Sequence, residues 1–401
     1  MNDPHGIVWD GHQYHLFFQY VPGSLSWQSN LEWGHAVSPD LVHWRQIDSA
    51  LSPRDEVGCW SGSVVGVDDG YLLYYTSPQH DDWSNGHVVI VNVDASLSTF
   101  ERILPPSIQG APSDQFFDFR DPQVRREQGR YLMSIGAGLK DFGGCVLQFS
   151  SDDGLSWSYD GILASRSAME SVPIETGTVW ECPQFFQLGN LWCLIISSIN
   201  PDSYQQVQYA LGEYDGFSFE PRIWGDLGFS EIPYASTTFQ DSEGNVCMMS
   251  WLRESGSTSD YAGAQSIPLI LTNRNDGLRV EIHPTLNANF REVEGMQVSS
   301  HSWISLSNLR SGTEVSFVAG GTTLSISFGE NCLELDLDNT IRRYSLSKFS
   351  DAAEILIDAD ILEVILPGAP FASAFRIPVV DVWDVRVNEN ATIVLQDYWG
   401  E

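Results

Sequence analysis

Short apolar runs recur along the first part of the chain, each bounded by Gly, Asn, Asp or Ser. They are Y-H-L-F-F-Q-Y from Tyr14, Y-L-L-Y-Y-T from Tyr71, Y-L-M-S-I from Tyr131, W-C-L-I-I-S from Trp192 and V-C-M-M-S-W from Val246, with starts 57, 60, 61 and 54 residues apart. Their brevity and their aromatic and β-branched content predict strands rather than helices. A second landmark follows each run, a Ser- or Asp-containing turn closed by an aromatic: Trp44, Phe100, Trp157 and Phe219, at steps of 56, 57 and 62. A degenerate fifth copy, N-D-G-L, ends at Leu278, a further 59 residues on. A third strand type is visible in His87–Val93 and Cys145–Ser150.

Each repeat has room for about four strands, and its period falls near that of four-stranded propeller blades. Five repeats closing around a channel leave no exposed sheet edges. The expectation is therefore an all-β chain whose residues 1–288 form a five-bladed β-propeller; a solenoid or a pair of sandwiches is the alternative. After residue 290 the repeat stops, but short alternating strands continue: V-S-F-V-A-G-G, L-S-I-S-F-G, C-L-E-L-D-L, A-E-I-L-I-D-A-D-I-L-E-V-I-L and T-I-V-L-Q-D. This predicts a β-sandwich over residues 289–401, serving support or oligomer contacts rather than catalysis.

Charge narrows the partners. The chain has 53 acidic against 20 basic residues and a formal net charge of −33. Its lysines are Lys140 and Lys348 alone. Long-range repulsion argues against nucleic acid or an anionic membrane as partner, while neutral sugars are unaffected. Solubility or adaptation of the source organism also explains such acidity. The six cysteines show no C-x-x-C pair or regular spacing, so they spell neither a zinc site nor a disulfide framework. No apolar stretch reaches the roughly 20 residues of a membrane helix, and no charged-then-apolar leader opens the chain. The expectation as written is a cytoplasmic protein.

Three acids stand at almost the same phase of the repeat. Asp3, Asp121 and Glu181 precede Tyr14, Tyr131 and Trp192 by 11, 10 and 11 residues. Equivalent positions in a radial repeat point at one axis, and carboxylates gathered there shift one another's pKa values, which marks them for chemistry. The same phase in the other repeats holds Trp60 with Ser61, and Tyr234 with Ala235. Asn2, Gln19 and Trp27 lie nearby in sequence. Aromatic rings for apolar sugar faces beside acids for hydroxyls suit a carbohydrate pocket. Glycoside hydrolysis needs one protonated and one ionised carboxyl, but composition leaves open which acid takes which role. Taken singly, an Asp before Pro, as at Asp3 and Asp121, commonly caps a turn. His12 and His15 read as surface or packing residues, and His35 and His43 as structural hydrogen-bonders. Cys182 reads as a neighbour of the acid rather than a nucleophile.

M-N-D-P-H-G at 1–6, F-F-Q-Y at 17–20, W-G-H-A-V-S-P-D-L-V-H-W at 33–44, W-S-G-S at 60–63, F-R-D-P at 119–122 and W-E-C-P at 180–183 resemble the signature blocks of glycoside hydrolase family 32, the invertase, inulinase and levanase group. Y-A-S-T-T-F at 234–239 resembles a looser block of that family. The resemblance implies a five-bladed propeller followed by a sandwich, and a retaining β-fructofuranosidase releasing terminal fructose from sucrose or fructo-oligosaccharides. It makes Asp3 the nucleophile, Glu181 the acid/base, and Asp121 the holder of fructose hydroxyls. It also places Asn2, Gln19, Trp27, Trp60, Ser61, Arg120 and Cys182 around the fructose subsite, with no metal or organic cofactor. The chain departs from the family pattern at His5, where Asn is usual, and at Gln184, where Asp is frequent. Fructosyl transfer is the nearest rival activity. A non-catalytic sugar-binding propeller and a pentose-releasing enzyme are the others. The expected partner is a small carbohydrate, and oligomeric state is open.

Overall fold

The computed structural model describes residues 1–79, 84–200, 205–228, 232–253, 261–274, 277–346, 349–388 and 391–399. The fold is all-β. Sheet I comprises Pro4–Trp9, Tyr14–Tyr20, Glu32–Ser38 and Arg45–Leu51; sheet II comprises Gly62–Val67, Gly70–Ser77, His87–Asp94 and Phe100–Ile108. Sheet III follows with Phe116–Glu127, Arg130–Leu139, Gly143–Ser151 and Ser158–Ser165, and sheet IV with Val179–Leu188, Leu191–Ile199, Gln206–Tyr214 and Phe219–Asp226. Sheet V holds Pro233–Gln240, Val246–Leu252, Leu269–Arg274 and Gly277–Ile282, with the short strand Ala264–Gln265 added to its second strand. Within each sheet the strands pair antiparallel in chain order, a meander that short turns suffice to connect.

The five apolar runs are the second strands of the five sheets. They read as continuous rather than alternating because both of their faces are buried. In sheet I, Phe17 packs toward sheet II with Leu73, Tyr75 and Val91, while Leu16 and Phe18 pack toward sheet V with Phe239, Cys247 and Met249. In sheet IV, Leu194 and Ile196 join Val146 of sheet III, whereas Cys193 and Ile195 join Met248 and Leu271 of sheet V. Sheets II and III share Leu72, Tyr74, Met133 and Ile135. Five cores thus separate five sheets cyclically, and the first strands touch in the same order, with that of sheet I against that of sheet V. The aromatics that close the turn motifs stand at or just before the fourth strands. Asn275 and Asp276 of the fifth turn motif lie outside the described residues.

A 3-10 turn at Pro284–Asn289, N-capped by His283, leads to two six-stranded sheets. One contains His301–Ser307, Ala352–Asp358, Ile361–Leu366 and Phe371–Arg376; the other contains Thr313–Ala319, Thr322–Phe328 and Val382–Val387. Their facing residues, including Ile304, Ile355, Leu362, Phe317, Ile326 and Trp383, share one core. The first of these sheets is apolar on its other face as well. There Trp303, Leu356 and Ile365 enter the core that sheets IV and V share, so the two halves of the chain are joined by buried surface. Trp303 also stands edge-on to Phe290, with ring centroids 5.6 Å apart, and donates its indole N–H to Glu354 at 2.6 Å. Trp303→Ala is expected to lower the free energy of unfolding by ~3–5 kcal/mol, measured by chemical denaturation. A loss under about 1 kcal/mol, a surface-like value, would show that this face contributes no cohesion.

Candidate active site

Near the start of each inner strand the antiparallel register slips. In sheet I the Asn2 amide donates to the Gln19 carbonyl at 2.7 Å and the Gln19 amide to the Asp3 carbonyl at 3.1 Å. Sheet II repeats this with Trp60, Thr76 and Ser61 at 2.8 and 3.1 Å. In sheets III, IV and V, Gly136 faces Arg120, Ser197 faces Glu181 and Trp251 faces Tyr234, each at a register shift. A bulge sets two residues against one on the partner strand and re-aims the side chains there. The dipeptides Asn2-Asp3, Trp60-Ser61, Arg120-Asp121, Glu181-Cys182 and Tyr234-Ala235 are therefore structural equivalents. The second member lies in the left-handed region at Asp121 (φ +64°), Cys182 (+46°) and Ala235 (+46°). For non-glycine residues that conformation is uncommon and concentrates at functional sites.

This equivalence gives two tiers. The first members, Asn2, Trp60, Arg120, Glu181 and Tyr234, all line a cleft of about 340 Å3. Of the second members, Asp3 and Asp121 reach the cleft, while Ser61, Cys182 and Ala235 are buried around them at 3%, 8% and 1% exposure. The near-common phase of the three acids is thus corrected by one position: Asp3 and Asp121 occupy the lower tier and Glu181 the upper. A further register slip between His5 and Val8 inserts a residue into the first strand of sheet I. That residue makes the spacing of Asp3 match that of Glu181 although their tiers differ.

Hydrogen bonds fix the acids. The Ser61 hydroxyl donates to Asp3 Oδ2 at 2.6 Å and itself accepts from Gln19 Nε2 at 2.6 Å. Cys182 Sγ lies 3.8 Å from the same Asp3 oxygen and 3.5 Å from Asp121 Oδ2, bridging the two lower carboxyls. At the second-strand position of Gln19, other sheets carry Thr76, whose hydroxyl accepts from the Asp121 amide at 2.8 Å, and Ser197, which accepts from the Ala235 amide at 3.0 Å. Sheet III has Gly136 there, because a Cβ would come within 2.1 Å of the Trp180 carbonyl. With no side chain available from Gly136, the Cys182 amide donates instead to Asp121 Oδ2 at 2.9 Å. Glu181 accepts from Arg120 Nε at 2.9 Å through Oε1 and from the Tyr234 hydroxyl through Oε2. Arg120 also donates to Asp118 at 2.9 Å, and Arg253 lies over the Tyr234 ring, 4.3 Å from its centre.

Burial pushes the Asp3 carboxyl up to about 6, with the Glu181 charge adding to the rise and the Ser61 hydrogen bond opposing it. Asp121 moves in the same direction, first through burial, then through Glu181, against the pull of Arg120. Arg120 stays charged between Glu181, Asp121 and Asp118. Burial first, and the nearby Glu181 charge after it, thus move both lower-tier carboxyls up from the ordinary carboxylate range.

All ten residues singled out in the sequence converge here. Asn2, Asp3, Gln19, Trp27, Trp60, Arg120, Asp121 and Glu181 line the cleft, with Ser61 and Cys182 beneath. Trp27 is 55% exposed at the mouth, edge-on to Trp60 at 6.3 Å. Leu31, Asp118, Gln205, Tyr234 and Trp251 complete the lining. Tyr234 had a signal, since it stands beside Ala235, which holds the repeat phase of Trp60 and Glu181. Gln205 and Trp251 had none of comparable strength. His5 is buried against Trp33 at a centroid distance of 3.8 Å, and burial depresses its pKa to about 3, so it stays neutral. Gln184 ties sheets IV and V, accepting from the Thr238 amide at 3.0 Å. Among the described residues one group has metal-ligand chemistry, Asp241, Cys247 and His283. Its groups are engaged otherwise: Asp241 accepts from Asn245 at 2.7 Å and bonds His283 at 3.0 Å, while the other His283 nitrogen accepts from the Thr285 amide.

A family model described as the glycosyl hydrolases family 32 N-terminal domain matches residues 1–284. The chain is 34% identical to a sucrose-6-phosphate hydrolase of Escherichia coli over 270 residues, which cover 63% of this chain and 54% of that protein. It is 31% identical to a raffinose invertase of Escherichia coli, covering 69% of this chain and 61% of that protein. The chain thus spans little more than half the length of these curated relatives. In three dimensions it is similar to a family 32 β-fructofuranosidase of Bombyx mori, with a TM-score of 0.86 at 20% identity, covering 99% of this chain and 91% of that one.

The raised pKa of Asp3 predicts a stability effect. The folded protein holds this proton more tightly than an unfolded Asp with its ordinary value of 3.8, so stability falls as pH rises from about 4 through about 6. Asp3→Asn keeps an acceptor for Ser61 and cannot ionise. Thermal and denaturant unfolding should find it more stable than the parent by ~1–3 kcal/mol near pH 8, the difference closing towards pH 4. A variant equally or less stable at both pH values would contradict the assigned desolvation.

Proposed function

The chain belongs to glycosyl hydrolase family 32, and on that premise we propose that it is a retaining β-fructofuranosidase acting on sucrose or fructo-oligosaccharides. We read residues 1–288 as a five-bladed propeller, in which the five sheets are blades, and residues 289–401 as a β-sandwich. The cyclic order of the inner-strand contacts supports the propeller reading. One observation carries the activity: Asp3, Asp121 and Glu181 border a single cleft on two tiers, held there by different partners.

In this reading the Asp3 carboxylate, held through Oδ2 by the Ser61 hydroxyl, attacks the anomeric C2 of a fructosyl unit with its other oxygen. The bond from C2 to the leaving oxygen breaks as Glu181 gives that oxygen a proton, leaving fructose esterified to Asp3. Glu181, now ionised and steadied by Arg120 and Tyr234, takes a proton from water. The hydroxide oxygen bonds to C2, the ester bond breaks, and the original configuration is restored. Asp121, fixed by the Thr76 hydroxyl and the Cys182 amide, holds sugar hydroxyls and faces the positive charge that develops on the ring. Asn2, Gln19, Trp27 and Trp60 supply the remaining polar and aromatic contacts of the sugar-binding wall.

Glucose and fructose released from sucrose test the reading. Equal yields indicate hydrolysis, and fructose in deficit indicates transfer to a second sugar. Glu181→Gln should lower kcat by ~10²–10⁴-fold and Asp3→Ala at least as much, each with sugar binding retained by calorimetry. The acid limb of kcat/KM should fall near pH 6, where Asp3 becomes ionised, and should move to lower pH in Glu181→Gln because a neighbouring negative charge has gone. Hydrolysis of arabinosides or xylosides without hydrolysis of sucrose would replace fructose as the substrate, and sugar binding with no turnover by the parent chain would leave only a binding protein.

A further inference from the structure

We propose that this cleft selects uncharged saccharides and discriminates against phosphorylated ones, an inference that rests on the fructosidase reading above. Four carboxylates line it, from Asp3, Asp118, Asp121 and Glu181, against one guanidinium, Arg120. That guanidinium is already engaged by Glu181 and Asp118, each at 2.9 Å. A second cleft of about 420 Å3 adjoins the first, sharing Asn2, Trp27 and Trp251, and offers room for the part of a substrate beyond its fructosyl end. Its remaining lining includes Ser24, Leu25, Ser26 and Arg376.

Cations are scarce in this second cleft as well. Among the described residues the basic side chain of its lining is that of Arg376, 3.7 Å from Asp360. No lysine lines either cleft among the described residues. A phosphate monoester carries nearly two negative charges at neutral pH and is normally met by free arginine forks or lysines. Here it would enter among carboxylates and compete with existing ion pairs, while a chain of net charge −33 slows its approach. A neutral sugar meets neither obstacle and gains the faces of Trp27, Trp60 and Trp251.

The test compares kcat/KM of the full chain for sucrose and sucrose 6-phosphate at low and high ionic strength. Sucrose should be preferred by at least about tenfold at low salt, equivalent to ~1.4 kcal/mol. Added salt should raise the rate on the phosphorylated sugar by screening repulsion, leaving sucrose unchanged. Arg376→Gln should affect both sugars alike. Equal or better hydrolysis of the phosphorylated sugar, a fall in its rate with salt, or its selective loss in Arg376→Gln would overturn the selectivity while leaving the fructosidase reading intact. Cleavage of neither sugar would remove that reading and this inference with it.

Discussion

A one-residue bulge near the start of every inner strand is the constraint on which the rest depends. In an undisturbed strand, neighbouring side chains point to opposite faces, so only one of Glu181 and Cys182, or of Arg120 and Asp121, could reach the cleft. The bulge turns both members of each pair inward, so that Asp3 and Asp121 line the cleft beside the five first members while Ser61, Cys182 and Ala235 are buried beneath it. Acid chemistry then divides by tier. The lower carboxyls of Asp3 and Asp121 are enclosed by Ser61, Cys182 and Ala235, and the upper one of Glu181 is held by side chains from sheets III and V.

This arrangement lowers stability locally and is upheld by packing elsewhere. Left-handed backbone at Asp121, Cys182 and Ala235 and the enclosure of two carboxyls both oppose folding. The five cores between sheets and the apolar face shared with the C-terminal half offset that cost. Gly136 shows how close the fit is. Trp180 leaves no room for a side chain there, and the missing hydroxyl is replaced by the Asp121 carboxylate, which couples one acid to the backbone beside another.

Much of this was legible in the chain, because repetition writes one strand pattern five times. The five apolar runs emerged as the second strands, and their aromatic turns as entries to the fourth. Less visible were His301–Ser307, Phe371–Arg376 and Val382–Val387, whose serines, alanines and aspartates dilute the alternation. The site residues were found through repeat phase and family motifs together. Phase alone put Asp3 on the tier of Glu181, since the extra residue between His5 and Val8 cancels the difference in spacing. Trp251 reaches the cleft through its pairing with Tyr234, which local patterns do not encode, and Gln205 likewise had no local pattern to mark it. His15, read as a surface or packing residue, and His35, read as a structural hydrogen-bonder, are buried and bonded to each other at 2.8 Å, and only the strand register reveals that they are partners.

The most direct test is to identify the carboxylate that becomes bonded to sugar. Glu181→Gln can be incubated with fructosyl fluoride, whose leaving group needs little protonation, and then quenched, digested and mapped by mass spectrometry. The account predicts one anhydrofructosyl unit on the peptide containing Asp3, located at that residue by fragmentation. Its appearance on Asp121, or release of fluoride with no covalent adduct at any quench time, would contradict the account.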